Sequence, residues 1–453
     1  MFQRFYDEGL AQASYLIGCG RAREAVVIDP RRDAAIYLDA ARQAGVTITH
    51  AIETHIHADF ISGARELAGH GIRVVAGPGS DLLYPHHEAA DRERLHVGDL
   101  SLEFLHTPGH TPEHISILAA QDGEPTRLFT GDLLFVGGVG RPDLLGAEQS
   151  RQLANQLYES LYDRVLALDD DIEVHPGHGA GSLCGAGIGS DPHSTIGRER
   201  RVNPMLRHPS RETFVAAVLA DLPDTPPYFK RMKRINREGP PVLGLASSTF
   251  TVHALPPAAA AALVADGALV IDLRPASAFA KAHPSGAVNL GFGSKVGYWA
   301  GWVVPPDVPL ILLADDPAHV PAAAVQLLRV GLDRIEGAIA GGFSAWSGAG
   351  LPVSSIEQVE AGDLASSTPD ALQIIDVRTA REWRSGHIDG SINIPVGELP
   401  DRLDEVPREG RLAVICEGGY RSALGASLLA REGFMDILNV TGGMAAHRAL
   451  QPK

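Results

Sequence analysis

The chain has 453 residues, 45% of them hydrophobic and 21% charged, enough to bury more than one core and to divide into about three domains. A formal charge of −16 excludes a general nucleic-acid or anionic-membrane surface, and no apolar run is long enough to span a bilayer. The three cysteines, Cys19, Cys184 and Cys416, form no disulfide framework, and Met1 to Glu8 show no basic-then-apolar leader, so a reducing cytoplasm is the expected setting.

In chain order, Glu24–Ile28, Thr49–Glu53, Gly71–Val75 and Ser101–Leu105 are predicted strands, several of them ending on His, Asp or Gly-rich turns. Four polar clusters sit at such ends. They are Thr54-His55-Ile56-His57-Ala58-Asp59-Phe60, Thr107-Pro108-Gly109-His110, Thr130-Gly131-Asp132 and His175-Pro176-Gly177-His178. One His-x-His pair is weak evidence for a metal, but four clusters together carry the donor types of a metal centre. Gly140-Arg141-Pro142-Asp143 follows the Asp132 cluster, and Arg141 is expected to brace the site. Cys184 follows the His178 loop closely enough to line the same pocket, whereas Cys19 is expected to be structural.

Residues 198–244 are helical and then Pro-rich, a plausible linker in which Lys230–Arg234 is expected to be a solvated basic face. Beyond it the chain repeats. Ile271-Asp272-Leu273-Arg274 recurs as Ile375-Asp376-Val377-Arg378, and Gly341-Gly342-Phe343 as Gly442-Gly443-Met444. Each copy alternates strand and helix, which predicts a mostly parallel sheet covered on both faces. In the second copy the apolar strand Leu412–Ile415 runs into Cys416-Glu417-Gly418-Gly419-Tyr420-Arg421 and then a helical run. Inward-facing N–H groups of such a turn form an anion cradle, which favours a thiolate, the species that attacks sulfur. In the first copy Ala314 stands where the cysteine should be and His319 replaces the arginine, so that copy is expected to be catalytically dead.

The six-residue loop resembles that of the rhodanese family, with Cys416 as the sulfur-carrying nucleophile, Arg421 closing the loop and Glu417, Gly418, Gly419 and Tyr420 forming its cradle. The histidine clusters, over roughly Met1 to Thr195, resemble the metallo-β-lactamase fold, an αββα sandwich. Phe60 stands where that family commonly has a histidine for a second metal, which favours a mononuclear site with open positions. The persulfide dioxygenases are the branch with such a site. The resemblance implies His55, His110 and Asp132 as ligands of one Fe(II) per chain, with His57, Asp59 and His178 orienting ligands or touching substrate.

The whole order resembles persulfide dioxygenase–rhodanese fusions, with domains expected at 1–245, 246–352 (inactive rhodanese) and 353–453 (active rhodanese). It implies oxidation of a low-molecular-weight thiol persulfide by O2 to sulfite and thiol, with Cys416 moving sulfur to or from thiosulfate. A homo-oligomer is expected, because related enzymes commonly self-associate. Two alternatives stand beside this one: a zinc thioester hydrolase resembling glyoxalase II fused to a sulfurtransferase, and a non-enzymatic carrier or sensor of sulfane sulfur.

Overall fold

The computed structural model describes all residues except 122, 221, 248–249, 367–371 and 451–453. It has two compact units, Met1–Phe250 with Arg329–Gly331, and Thr251–Leu328 with Leu332–Lys453. No helix among the described residues is long and apolar enough to cross a membrane.

The first unit holds two six-stranded sheets. One runs in the order β1 (Phe2–Asp7), β2 (Gln12–Cys19), β3 (Glu24–Ile28), β4 (Thr47–Ile52), β5 (Arg73–Ala76), β6 (His87–Glu88). The other contains β7 (Arg94–Val97), β8 (Leu100–His106), β9 (Ile115–Gln121), β10 (Glu124–Gly131), β13 (Glu173–Pro176) and β14 (Ser194–Thr195), in the order β14-β13-β10-β9-β8-β7. A small ribbon of β11 (Leu134–Phe135) and β12 (Gly138–Val139) lies between β10 and β13 in sequence.

Period-two alternation splits each inner strand between two cores. Tyr15, Ile17, Val26 and Ile28 meet Leu102, Phe104, Ile117 and Phe129 between the sheets. The alternate residues Leu16, Ala25 and Val27 face outward against Tyr37, Ala41 and Leu67 of the helices Ala35–Ala44 and Ala64–Ala68. The outer face of the second sheet, with Leu128 and Val174, is covered by Ala154 and Leu157 of helix Ala147–Glu159 and by Phe214, Val215 and Val218 of helix Arg211–Ala220. The result is the αββα sandwich.

The expected solvated linker is not one. Phe214 is fully buried in the outer core, and the helix Tyr228–Glu238 buries Tyr228, Phe229, Met232 and Asn236, leaving Lys230 and Arg234 exposed and Arg231 and Lys233 half-buried. The buried face is what fixes its place.

In the second unit the repeat becomes visible as topology. Strands β15 (Ala254–Leu255), β16 (Leu269–Asp272), β18 (Val288–Asn289), β19 (Leu310–Leu313) and β20 (Ile335–Ile339) lie in the order β15-β20-β19-β16-β18. Strands β22 (Glu357–Glu360), β23 (Leu372–Asp376), β24 (Ile392–Asn393), β25 (Arg411–Ile415) and β26 (Ile437–Thr441) repeat it as β22-β26-β25-β23-β24, again wholly parallel. A ribbon of β17 (His283–Pro284) and β21 (Val353–Ser354) accompanies the first copy. The repeated Asp-x-Arg does the same work twice: Arg274 clasps Asp272 and Arg378 clasps Asp376, each pair fully buried beside the central strand.

Candidate active sites

Strand β4 delivers His55 just past its end. Thr54 donates its N–H and hydroxyl to the two oxygens of Asp29, at 2.7 and 2.9 Å, and its Oγ1 accepts from His55 Nδ1 at 2.9 Å. His110 gives its Nδ1–H to the carbonyl of Arg141 at 2.8 Å. Asp132 follows β10 through Gly131, whose φ of +46° and whose contact with the Thr54 hydroxyl leave no room for a Cβ. The Asp132 N–H donates to His114 Nε2 at 3.1 Å, while its Oδ1 lies 2.7 Å from His178 Nδ1.

These bonds use every other polar atom and leave three facing one another: His55 Nε2, His110 Nε2 and Asp132 Oδ2, all buried and all without a partner. The Nε2 atoms lie 3.7 and 3.5 Å from Asp132 Oδ2. An orphaned buried polar atom costs about 1–3 kcal/mol, so three aimed at one point fit a cation there. Burial drives His55 and His110 below the ordinary histidine range. Burial opposes ionisation of Asp132, but the neighbouring histidines, His178 foremost, hold its carboxyl well below the usual range. Two neutral imidazoles and a carboxylate are the protonation states a metal needs.

The remaining predicted residues flank this triad. His178 is gripped between Asp132 and Asp59 (Nε2 to Oδ2, 2.8 Å), which outweigh burial and push it up to about 10. Cys184 is buried with Asp59 and His178, their ligand atoms within 4.8 Å of one another, and burial followed by the two carboxylates pushes its thiol well up. His57 turns elsewhere. Its Nε2 faces Asp29 and Glu53, at 3.3 and 3.1 Å, and its ring packs on Phe60 at 4.4 Å. Arg141, 1% exposed, spends its guanidinium on Asp143, the Leu183 carbonyl and Thr225, and so has no arm free for a substrate.

Three contributors escaped the sequence reading. Asp29 and Glu53 position Thr54 and His57, and Asn236 binds the loop from behind: its amide donates to the carbonyls of His57 and Phe60 at 2.9 and 2.7 Å and accepts from the Ser62 N–H at 2.9 Å. The only available signal for Asn236 was the helical spacing of Phe229, Met232 and Asn236.

In the second unit, β25 ends at Cys416, which is 1% exposed. The Gly419 N–H donates to its sulfur at 3.0 Å, and Ser422 Oγ lies 3.5 Å away. Gly419 reaches this position at φ +102°, where a side chain is strained. The N–H groups of Met444 and Ala445 bind the carbonyls of Cys416 and Glu417, at 2.8 and 3.0 Å, so the loop is anchored by the following helix start. Gly418 has open space before it, and the Tyr420 hydroxyl donates to the Leu290 carbonyl of the first copy at 2.7 Å. Ala314 occupies the equivalent strand end of that copy, and His319 is stacked on Phe292 at 3.9 Å.

Arg421 closes the loop on Glu382 with two bonds of 2.7 and 2.6 Å. Burial opposes it, but Arg421 and Thr379 hold Glu382 at about 2. A carboxylate depressed by folding adds stability that is complete above its unfolded value, about 4.3, and is lost as pH falls through the folded one. The difference in melting temperature between wild type and Glu382→Gln is therefore expected to be flat from about pH 5 to 8 and to shrink below about pH 4. Thermal melts across that range check it, and a difference that widened on acidification would contradict the pairing.

A metallo-beta-lactamase superfamily model matches residues 7–178, and a rhodanese-like domain model matches residues 256–349 and 360–449. Human persulfide dioxygenase ETHE1, mitochondrial, is 31% identical over 221 residues, which is 46% of this chain and 76% of that protein. The chain belongs to the metallo-beta-lactamase superfamily. Within it the chain has ETHE1 persulfide dioxygenase homologues, and it joins that domain to two rhodanese-like domains. A solved structure described as a metallo-beta-lactamase from Staphylococcus aureus subsp. aureus COL is 36% identical, with a TM-score of 0.65, over 75% of this chain and 98% of that one. Hydroxyacylglutathione hydrolase GloC of Haemophilus influenzae is 29% identical over 42% of this chain and 90% of that protein. The superfamily implies a metal, and His55, His110 and Asp132 form a buried group that could hold one.

Proposed function

We propose that the triad holds one Fe(II) and that the first domain oxidises a low-molecular-weight thiol persulfide with O2 to sulfite and thiol, while Cys416 moves sulfane sulfur to or from thiosulfate. The observation that carries it is the set of three orphaned ligand atoms, two imidazole and one carboxylate. Such a donor set would leave a bound iron open positions for substrate and dioxygen. Bound iron supplies the redox chemistry that joins O2 to the substrate's terminal sulfur.

The chain's own residues do the rest. Thr54 and the Arg141 carbonyl fix the tautomers of His55 and His110, so that each presents Nε2. His178, clamped by Asp59, keeps Asp132 ionised and aimed. Phe60 and the withdrawal of His57 toward Asp29 and Glu53 favour a single metal over the two of a hydrolase. In the last domain the Gly419 N–H and the Ser422 hydroxyl offer the sulfur on Cys416 a setting that accepts negative charge. Domain edges near residues 245 and 352, a homo-oligomer and a cytoplasmic setting belong to the same proposal.

The hydroxyacylglutathione hydrolase relative supports the alternative of a zinc thioester hydrolase. Anaerobic iron loading, followed by oxygen uptake and product analysis on glutathione, coenzyme A and cysteine persulfides, separates the two. One iron per chain and persulfide-dependent oxygen uptake are expected. Bound zinc, no oxygen uptake and thioester hydrolysis would overturn the dioxygenase.

A further inference from the structure

The mouth of the Cys416 loop carries three guanidiniums, and each is already matched. Arg421 is held by Glu382 through two bonds. Arg378 is held by Asp376, with Nη2 at 2.8 Å, and turns Nη1 toward Glu417 at 3.5 Å. Arg448, on the helix Gly443–Leu450 whose first turn anchors the loop, pairs with Glu417 through both of its terminal nitrogens. Of the three carboxylates, Glu417 alone belongs to the loop itself, immediately after the nucleophile, and it faces two arginines at once. Glu417 and Arg448 are both partly exposed, at 40% and 49%, so the pair stands at the mouth rather than in the core.

The six groups sum to no net charge. A loop built to attract a small dianion such as thiosulfate gains from an uncompensated guanidinium at its mouth. Here Glu417, the carboxylate next to Cys416, takes up Arg448, while Asp376 takes up Arg378, so neither guanidinium is left uncompensated.

We propose that Glu417 sets the sulfur-donor preference of the Cys416 site, keeping Arg448 from dianionic donors and so favouring the terminal sulfur of a thiol persulfide. This rests on the proposal that Cys416 transfers sulfane sulfur. In the favoured step the Cys416 thiolate attacks the terminal sulfur of R–S–SH. The Cys416–S bond forms, the R–S–SH sulfur–sulfur bond breaks, and RS⁻ leaves with the electron pair while the proton stays on the transferred sulfur. The sulfane sulfur changes carrier and no outside oxidant or reductant is consumed.

The test compares full-length wild type, Glu417→Gln and Arg448→Gln in sulfur transfer to cyanide, with thiosulfate or cysteine persulfide as donor. At low ionic strength Glu417→Gln is expected to lower the KM for thiosulfate about three- to tenfold with kcat little changed, and the gain should fade as salt is added. The KM for cysteine persulfide should move less than about twofold, and Arg448→Gln should raise that for thiosulfate. An unchanged thiosulfate KM in Glu417→Gln, or an equal change for both donors, overturns the role of Glu417. Wild type that forms thiocyanate from neither donor removes sulfur transfer by Cys416 and this proposal with it.

Discussion

Asp132→Ala is expected to leave the first domain without its metal and without persulfide-dependent oxygen uptake, while sulfur transfer at Cys416 continues. Asp132 is the only anionic member of the triad, and its two oxygens do different work: Oδ2 is the orphaned ligand atom and Oδ1 holds His178. Losing an outer partner of a metal site typically costs about 10- to 100-fold in affinity, so losing the charged ligand itself should cost more than that. The substitution also leaves His178 with Asp59 as its one remaining carboxylate, which loosens the wall of the site. Metal content after anaerobic loading and desalting is the first readout, and oxygen consumption the second. Retained thiosulfate-to-cyanide transfer shows that the second unit still folds, and a thermal melt that keeps the wild-type transitions shows the same of the first. An Asp132→Ala protein that kept one iron and full oxygen uptake would remove the triad from the chemistry.

The triad was legible because each member closes a strand, and strand ends are where an αββα sandwich places polar groups. His57 was only half legible. Its two-residue spacing from His55 suggests a shared face, yet the side chain turns to Asp29 and Glu53, and Asp29 lies on a different strand end. Nothing local announces such a partner. Asn236 is the same case over a longer span, reaching a loop about 180 residues earlier in the chain. There the basic run Lys230–Arg234 announced the exposed charges Lys230 and Arg234 but not the buried face, which Phe229, Met232 and Asn236 form. The tandem repeat was fully legible, since motifs such as Ile-Asp-x-Arg fix a strand end and its buried ion pair together. Arg421 was legible as a loop closer, though not its partner Glu382, which comes from the helix Ala380–Arg384 39 residues earlier. Glu417 was legible as a position but not as a charge shared between Arg378 and Arg448, because those residues come from two other elements.

Cys416→Ser is expected to cut sulfur transfer from thiosulfate to cyanide by about a thousandfold or more, because a hydroxyl offers no sulfur nucleophile and carries no sulfane sulfur. The loop should survive. The serine oxygen can accept the Gly419 N–H that now reaches the sulfur, and the carbonyl anchors to Met444 and Ala445 do not involve the side chain. Stability should therefore change little, and oxygen uptake on an added thiol persulfide should persist. What changes is the product: sulfite should accumulate where wild type yields thiosulfate. A variant that made as much thiosulfate as wild type, above a protein-free control, would exclude Cys416 from that step. The same variant decides the direction of flow. If the sulfur reaches the first site as persulfide from solution, oxygen uptake is indifferent to residue 416. If it must first be drawn from thiosulfate, then thiosulfate and a thiol together should support oxygen uptake in wild type and fail to do so in Cys416→Ser. Glu417 bears on that outcome, since a mouth with no uncompensated guanidinium for thiosulfate makes Cys416 a better consumer of persulfide sulfur than a source of it.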